Sequence, residues 1–377
     1  MTKWNGCGTS GRRVKRAWFP ALAGLAVMVI GCEASAPAPG GAGSGGEPSD
    51  GAEAMAFPVV REAFLTPMDT VDNVDSPAAW RSPDGEVVLL ATAKGTHVIM
   101  AYDGVTGELI GRWGEEGTGP GQFRRPNGIL VHDDLLVVVE RDNRRVQILR
   151  LPDFESLAIF GEEVLLKPYG LTGVEENGVL HLWVTDDFDV TGEGGARWEN
   201  RVKRFGVDLT GDAPEAQFVG MVGEPDGPGR LKVVESILAD PVHARLFIAD
   251  EDEAERVIKV YHLAGGFTGR RLGEGVFAAE PEGLALYACG DEGYLVMADQ
   301  SPEGNRFQVF DRVSMDHLGT FTGEAVRNTD GVALLQGPVG NLGSGAFYAV
   351  HDDQGVVAFR WADVAEALGL RGDCEAW

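Results

Sequence analysis

The feature that most constrains the fold is a long succession of short strand-like runs with no helix of crossover length between them. The runs start at Val59–Phe64 and Val87–Ala91 and recur at short intervals as far as Val356–Trp361. Parallel strands need long connections, usually helices, so this pattern excludes a parallel α/β architecture. The chain has 53 glycines and 19 prolines, which suit many tight turns. The sequence therefore predicts an all-β protein.

The strand-like runs also repeat as a larger unit. Copies of this unit span Ile129–Leu149, Leu171–Phe205, Ile237–Tyr261, Leu284–Phe310 and Val332–Phe359. Successive copies begin roughly 42 to 66 residues apart, which is close to the blade length of β-propellers. About 300 residues divided by this period give six blades, so we predict a six-bladed β-propeller over residues 57–361. Because an open ring leaves sheet edges unpaired, we expect Val59–Phe64 to pair into the last blade.

Residues 1–31 form a predicted lipoprotein signal peptide. Five basic residues precede the apolar stretch Ala17–Ile30, which is too short to span a membrane comfortably and suits a signal sequence. The stretch ends at Gly31-Cys32, which resembles a bacterial lipobox, in which the cysteine becomes the lipidated first residue. A chance ending or an uncleaved signal anchor is the alternative. We expect export and a lipid anchor at Cys32 on the periplasmic or cell-surface side of a bacterial membrane.

Residues 32–56 are rich in alanine, proline, glycine and serine and predict a disordered tether. The formal net charge of the chain is −26, and the basic signal segment contributes none of the acidic residues. Nucleic-acid binding depends on clustered lysine and arginine, so this charge excludes a nucleic-acid partner. An acidic surface instead suits bound cations. We expect a monomer.

Acidic residues cluster where strand-like runs end. Asp250–Glu253 lie at a predicted hairpin turn, and Glu280 and Glu282 flank Pro281 before the next apolar run. Charge runs are usually solvated, so exposed hairpin tips are one interpretation. The other is a Ca²⁺ site, because Ca²⁺ takes six to eight oxygen ligands in irregular geometry.

Gly117–Leu149 resembles a blade of the NHL-repeat type. It has the opening Gly-Pro-x-x-Phe-x-x-Pro-x-Gly, from Gly119 to Gly128, and a close at Asp142–Val146. This likeness supports a propeller and indicates no chemistry.

A second resemblance extends from about Asp69 to Trp361. The motifs that carry it are Asp72–Trp80, Leu90–Lys94, Tyr169-Gly170, Ile248–Ala254, Glu280–Leu284 and Asn328–Val332. In type, order and spacing they are similar to the β-propeller phytases, which are calcium-dependent phosphatases acting on myo-inositol hexakisphosphate (phytate). The resemblance implies Ca²⁺ as cofactor and calcium-phytate as substrate.

The resemblance also implies particular site residues. The calcium ligands would be Asp75, Glu235, Glu251, Glu280, Glu282 and Asp330. The catalytic residues that contact phosphate would be Lys94, Arg141 and Tyr169. Carboxylate-bound calcium reverses the local potential and activates water for in-line phosphoryl displacement, so no side-chain nucleophile is needed.

The chain departs from the family pattern at several positions. Ser76 stands where the family has a second aspartate, Ser236 where it has glycine, and Asp186 where it has a phosphate-binding lysine. Lys203 and Arg204 on the following strand either replace that lost positive charge or face solvent. The alternative to a phytase is therefore a non-catalytic or divergent membrane-tethered propeller that keeps a structural calcium site.

Two expectations concern the end of the chain. Asp363–Leu370 predicts a short helix within a C-terminal tail that covers residues 362–377. Cys289 and Cys374 remain after the signal peptide and Cys32 are set aside, and an exported location permits a disulfide between them. Sequence alone leaves both the bridge and two separate thiols open.

Overall fold

The computed structural model describes residues 57–188 and 198–374, so the predicted signal peptide and tether lie outside the described residues. Every described residue belongs to one compact unit. Within the described ranges, no helix has the length and apolar character needed to cross a membrane.

The described chain is nearly all strand. In chain order the strands are β1 Val59–Val60, β2 Phe64–Leu65, β3 Val74–Arg81, β4 Val87–Ala93, β5 Val98–Asp103, β6 Leu109–Trp113, β7 Pro126–His132, β8 Leu135–Glu140, β9 Arg145–Arg150, β10 Glu155–Phe160, β11 Pro168–Glu176, β12 Val179–Asp186, β13 Val202–Asp208, β14 Glu215–Val222, β15 Ile237–Asp240, β16 Arg245–Asp250, β17 Val257–His262, β18 Phe267–Leu272, β19 Glu280–Cys289, β20 Glu292–Gln300, β21 Arg306–Asp311, β22 His317–Gly323, β23 Val332–Gln336, β24 Gly345–His351 and β25 Gly355–Arg360. The helix α1 (Trp361–Leu368) follows β25.

These strands form six sheets, each with an innermost strand that contacts the innermost strands of both neighbouring sheets. The first five sheets are β3 to β6, β7 to β10, β11 to β14, β15 to β18 and β19 to β22, ordered from inside to outside. The sixth consists of β23, β24 and β25 with β2 outermost. Because β23 also contacts β3, the ring is closed. The chain is a six-bladed β-propeller, as the strand pattern predicts.

The ring is closed by two short strands rather than by one. Strand β2 pairs with β25 and completes the sixth blade, as expected, but β1 pairs in parallel with β22 of the fifth blade. Glu62 lies between them, and its carboxylate accepts the backbone N–H groups of Ala325 and Val326, each at 2.9 Å. The prediction that Val59–Phe64 pairs wholly into the last blade is therefore wrong for its first two residues.

The end of the described chain is attached to the same pair of blades. The helix α1 contacts β1, β22, β24 and β25, and it begins two residues earlier than the predicted Asp363. Gly369, in the left-handed region at φ 67°, ends it. Cys374 forms a disulfide with Cys289 of β19, so the bridge that the sequence left open is present.

The hydrophobic core lies between neighbouring blades. Phe307 and Phe321 of the fifth blade pack against Phe347 and Phe359 of the sixth, and all four rings are fully buried. Equivalent layers occupy the other junctions. Burial of aromatic side chains contributes strongly to stability, so each blade is held chiefly by its two neighbours.

Four blades carry a buried acidic residue at or next to the end of the second strand. These structural acids are Glu140, Asp186, Asp250 and Asp299. Each accepts backbone N–H groups from the segment that leads into the inner strand of its own blade. Each also bonds a long polar side chain of the third strand; the partners, in the same order, are Arg145, Lys203, Lys259 and Gln308.

This arrangement explains Asp186 and corrects the expectations for Lys203. The Lys203 ammonium lies 3.2 Å from the Asp186 carboxylate and its side chain is buried, so it neither faces solvent nor supplies free positive charge. Arg204 is turned away and donates to the carbonyl oxygen of Ala264. Asp186 is a structural residue of the third blade.

The sequence motif of the NHL-like segment, Gly117–Leu149, is also explained by a buried ion pair within its blade. Buried Arg145 bonds Glu140 and also donates to the carbonyl oxygens of Gly119 and Gln122, at 3.1 and 2.9 Å. The glycine- and proline-rich opening of the motif therefore folds around one guanidinium group. Its sequence signature reflects this local structure.

Candidate functional site

The inner strands place one residue each at the same end of the central channel. These six residues, named the inner ring here, are Asp75, Asn127, Tyr169, Glu235, Glu282 and Asp330. Strand register supports the equivalence of four of them, because the residue before each lies opposite the last or next-to-last residue of the second strand: Val74 opposite Ala93, Pro126 opposite Glu140, Pro168 opposite Asp186 and Pro281 opposite Asp299. Glu235 and Asp330 lie two residues before β15 and β23. All except Asn127 line a cavity of about 250 Å³ bounded by the inner strands of all six blades.

A small residue follows each member of the inner ring because neighbouring inner strands approach closely there. A Cβ atom added to Gly331 would lie 2.7 Å from the carbonyl oxygen of Asp75, and one added to Gly283 would lie 2.8 Å from that of Asp330. The N–H groups of the same two glycines donate to those oxygens, at 2.9 and 2.8 Å. The backbone of the ring is therefore fixed by packing, and only its side chains are free to vary in chemistry.

One side of the inner ring contains a buried lysine. The Lys94 ammonium lies 2.6 Å from Asp75 Oδ1 and 3.1 Å from Asp330 Oδ2, and only 7% of its side chain is exposed. Burial disfavours the charge, but the two carboxylates outweigh it and raise the pKa of Lys94 above its ordinary value. Lys94 is therefore a permanent cation between two carboxylates. We name this group the lysine half of the site.

Every carboxylate oxygen in the lysine half has a donor. The Tyr169 hydroxyl donates to Asp75 Oδ1 at 3.1 Å, and the Ser76 hydroxyl donates to Asp75 Oδ2 at 2.9 Å. The side-chain amide of Gln300 donates to Asp330 Oδ1. Ser76 thus supplies a hydrogen-bond donor to the neighbouring carboxylate.

The other side of the ring is a cluster of three carboxylates, named the acidic half. One oxygen each from Glu235, Glu251 and Glu282 lie within 4.8 Å of one another. The Ser236 hydroxyl lies 3.3 Å from Glu282 Oε2, whereas Glu251 Oε1 is buried and has no hydrogen-bond partner among the described residues. A buried polar atom without a partner is costly and calls for an explanation such as an ion.

The acidic half holds negative charge at a cost. Burial, followed by the charges of Asp75 and Asp187, raises the pKa of Glu235 to about 7. Burial and the neighbouring glutamates raise the pKa values of Glu251 and Glu282 well above their usual range. A Tyr169 hydrogen bond and the charge of Lys94 offset part of this effect at Glu235, and a bound cation would relieve the remaining desolvation and like-charge repulsion of the three glutamates.

Two of the nominated residues lie outside this arrangement. Glu280 begins β19 and is exposed, although its charge contributes to the raised pKa of Glu251. Arg141 lines a separate depression together with Arg144, Leu166 and Lys167, and its Nε donates to Asp142 at 2.7 Å. The structure thus brings Lys94 and Tyr169 together with the carboxylates but leaves Arg141 apart from them.

Sequence reasoning missed several residues of the site. Gln300 and Ser236 bond ring carboxylates, and Asp187 accepts hydrogen bonds from Lys167 and Arg201 beside the acidic half. Buried Asn127 is the remaining ring member, and both polar atoms of its side chain lack partners among the described residues. A sequence signal for Asp187 does exist. In each of blades one to four, a charged residue directly follows the last residue of the second strand; these residues are Lys94, Arg141, Asp187 and Glu251.

A second group of possible metal ligands lies at the other end of two inner strands. It consists of His132, Asp133 and Glu175. His132 Nε2 and Glu175 Oε2 already bond each other at 2.8 Å, and both acidic residues are exposed. This group is a polar contact between the second and third blades.

Fold and site together define a β-propeller with an acid-rich inner ring. No protein-family model and no curated protein matches the sequence. Among solved structures, the chain is similar to a luciferin-regenerating enzyme, with 13% identity and a TM-score of 0.49 over 80% of this chain and 94% of that one.

The chain is also similar to two further solved structures. Hydrazine synthase of Kuenenia stuttgartiensis matches at 11% identity and a TM-score of 0.45, over 75% of this chain and 74% of that one. A nidogen/laminin complex matches at 13% identity and a TM-score of 0.45, over 68% and 82%. Likenesses this distant carry no argument about function, and the fold rests on the strand pairing itself.

Proposed function

We propose that this protein hydrolyses phosphate monoesters of phytate in a calcium-dependent reaction. The observation that carries the proposal is the convergence of Glu235, Glu251 and Glu282 beside the pair Lys94 and Tyr169 at one end of the channel. The carboxylates offer a site for cations, and the ammonium and hydroxyl groups offer donors for a phosphate. The sequence resemblance to β-propeller phytases supports the same activity.

The residues present fit calcium. Carboxylate oxygens are the ligands that Ca²⁺ prefers, and the acidic half supplies three carboxylates with one oxygen of Glu251 unpartnered. We propose Glu235, Glu251 and Glu282 as the ligands, with Asp330 and Asp75 at the edge of the site and Glu280 at the rim. Calcium, when bound, would supply Lewis-acid activation of water and charge stabilisation in phosphoryl transfer.

The remaining chemistry belongs to Lys94 and Tyr169. Their polar atoms lie 3.4 Å apart, so both can donate to one phosphate group when the hydroxyl turns away from Asp75 Oδ1, its acceptor in this structure. Burial, together with the charges of Asp75 and Glu235, raises the pKa of Tyr169 well above its usual value, so its hydroxyl keeps its proton and acts as a donor. The two donors would bind and orient the phosphate against the calcium-bearing carboxylates.

A membrane-tethered binding module with a structural calcium site is the second candidate. Two observations favour it: Arg141 lies outside the arrangement, and Asp186 occupies the position of a family lysine as a structural acid. A protein of this kind would bind calcium at the same site but would not hydrolyse phosphate esters.

Release of inorganic phosphate from phytate separates the two candidates. We expect release in millimolar Ca²⁺ and none with excess EGTA, because the substrate is a polyanion and the inner ring without calcium is acidic. Lys94→Ala should reduce turnover or substrate affinity while the protein still binds calcium. Calcium binding by the wild type without phosphate release would establish the binding module instead.

We also propose export and lipidation at Cys32, on the composition of the first 32 residues. In a bacterial host the wild type should fractionate with the membrane, and Cys32→Ser should move the protein to the soluble fraction with an unchanged melting temperature. Cys7→Ser, within the predicted signal peptide, is the matched control and should leave the protein on the membrane. An unchanged membrane fraction for Cys32→Ser would contradict the lipid anchor.

A further inference from the structure

The two halves of the site differ in how their charge is balanced. In the lysine half, Lys94 lies between Asp75 and Asp330, and every carboxylate oxygen has a donor. In the acidic half, no ion pair among the described residues balances the three glutamates, and Glu251 Oε1 has no partner. The same ring of strands thus contains one position already filled by a cation and one that lacks a cation.

We propose that the Lys94 ammonium is an internal cation that occupies a second calcium position, between Asp75 and Asp330. The proposal rests on the proposed function, because it takes the acidic half as the first calcium site. A first Ca²⁺ binds Glu235, Glu251 and Glu282 without displacing any protein group. A second Ca²⁺ reaches Asp75 and Asp330 only when the ammonium moves away.

Electrostatics sets the order of binding. A Ca²⁺ ion placed next to the Lys94 ammonium is repelled by it, and both compete for the same oxygens, Asp75 Oδ1 and Asp330 Oδ2. The ammonium in turn leaves only if another anion receives it, because a buried charge that loses its partner is strongly destabilising. The Tyr169 hydroxyl lies 3.4 Å from the ammonium and marks the side on which a second donor is available for such an anion.

A tetrahedral oxyanion is an anion that can receive the Lys94 ammonium. Binding of the oxyanion and binding of the second Ca²⁺ are then thermodynamically linked. If the oxyanion takes the ammonium, Asp75 and Asp330 become free for Ca²⁺, and by reciprocity the second Ca²⁺ strengthens the binding of the oxyanion. Lys94 therefore makes the second calcium ion and the oxyanion bind together. In the absence of an oxyanion the wild type binds calcium tightly only in the acidic half.

The test is the stoichiometry of Ca²⁺ binding, measured by isothermal titration calorimetry on the metal-free globular protein. The wild type should show one tight site. Lys94→Met keeps the length of the side chain and removes the charge, and it should show a second site whose affinity is at least about tenfold above that of any second site in the wild type. Lys94→Arg keeps the charge and should behave as the wild type. Arg150→Met removes one exposed positive charge elsewhere and should also keep one site.

Sulfate supplies the second arm, because it is tetrahedral and is not hydrolysed. Titrated in sulfate, the wild type should gain a second Ca²⁺, whereas Lys94→Met should bind the same number with and without sulfate. A melting curve in excess Ca²⁺ shows that each variant is folded, and Lys94→Met should be less stable than the wild type only before Ca²⁺ is added.

The outcomes separate the inference from the proposed function. If the wild type binds one Ca²⁺ and Lys94→Met gains none, the internal-cation proposal is wrong and the acidic-half site stands. If the second site appears in Arg150→Met as well, general charge accounts for it and the proposal is again wrong. If the wild type binds no Ca²⁺ at all, the proposed function itself fails.

Discussion

Glu282→Gln is expected to raise the melting temperature of the calcium-free protein and to remove most of the stabilisation that calcium gives the wild type. Glu282 is buried among carboxylates that raise its pKa, so the folded state holds its charge unfavourably compared with the unfolded chain. Glutamine removes this cost at neutral pH. In the wild type, calcium at 100 times its Kd should instead add about 2.7 kcal/mol. Thermal melts with EGTA and with Ca²⁺ measure both effects.

The pH dependence gives an internal check. A glutamate whose folded pKa is raised costs no stability below its unfolded pKa, near 4.5, and the cost grows as pH rises towards the folded pKa. For Glu235 that window closes at about 7. The advantage of Glu282→Gln without calcium should therefore shrink as the pH is lowered to about 5. Glu253→Gln, which removes an exposed carboxylate, should change neither melt. A calcium shift that survives in Glu282→Gln would contradict the site.

Asp186→Lys, which introduces the lysine that the β-propeller phytases have at the corresponding position, is expected to unfold the third blade rather than to improve phosphate binding. Asp186 accepts the N–H groups of Leu166 and Lys167 and pairs with buried Lys203. Lysine at this position leaves both N–H groups without an acceptor and places two ammonium groups side by side. Breaking a buried pair in this way costs about 3 to 5 kcal/mol. Chemical denaturation measures the loss.

Asp212→Lys makes the same change of charge on an exposed turn and should leave stability within about 0.5 kcal/mol of the wild type. Asp186→Asn retains an acceptor for the backbone and should fall between the wild type and Asp186→Lys. A stable Asp186→Lys protein with faster phosphate release would show that the position belongs to the site and not to the blade.

The sequence was sufficient for the number of blades and insufficient for the closure of the ring. Blade strands carry their own apolar pattern and turn residues, so each repeat is visible locally. By contrast, the split of the first segment into β1 and β2 depends on Glu62 and the N–H groups of Ala325 and Val326, more than 260 residues away. The pairing of Cys289 with Cys374 depends on the path of the tail in the same way.

The site shows the same division. The inner-ring carboxylates were nominated through the motifs that resemble those of the β-propeller phytases, and the structure explains the small residue after each by the close approach of neighbouring inner strands. The structural role of Asp186 could not be predicted. In the sequence, an acidic residue at a strand end has the same appearance whether its carboxylate binds calcium or pairs with a buried lysine such as Lys203. Arg141 was nominated from a motif, while the direction of its side chain is set by the adjacent Asp142.

The attachment of both ends of the described propeller at one junction has a consequence for the rate of unfolding. Chain termini are usually where fraying and proteolysis begin. Here β1 and β2 add to two different blades, α1 packs on both, and the disulfide closes a loop with a sequence separation of 85. Neither end can detach while the other holds the two blades together. We therefore expect the ring to be kinetically protected, with a lifetime as a folded protein that depends on the barrier to opening this one junction.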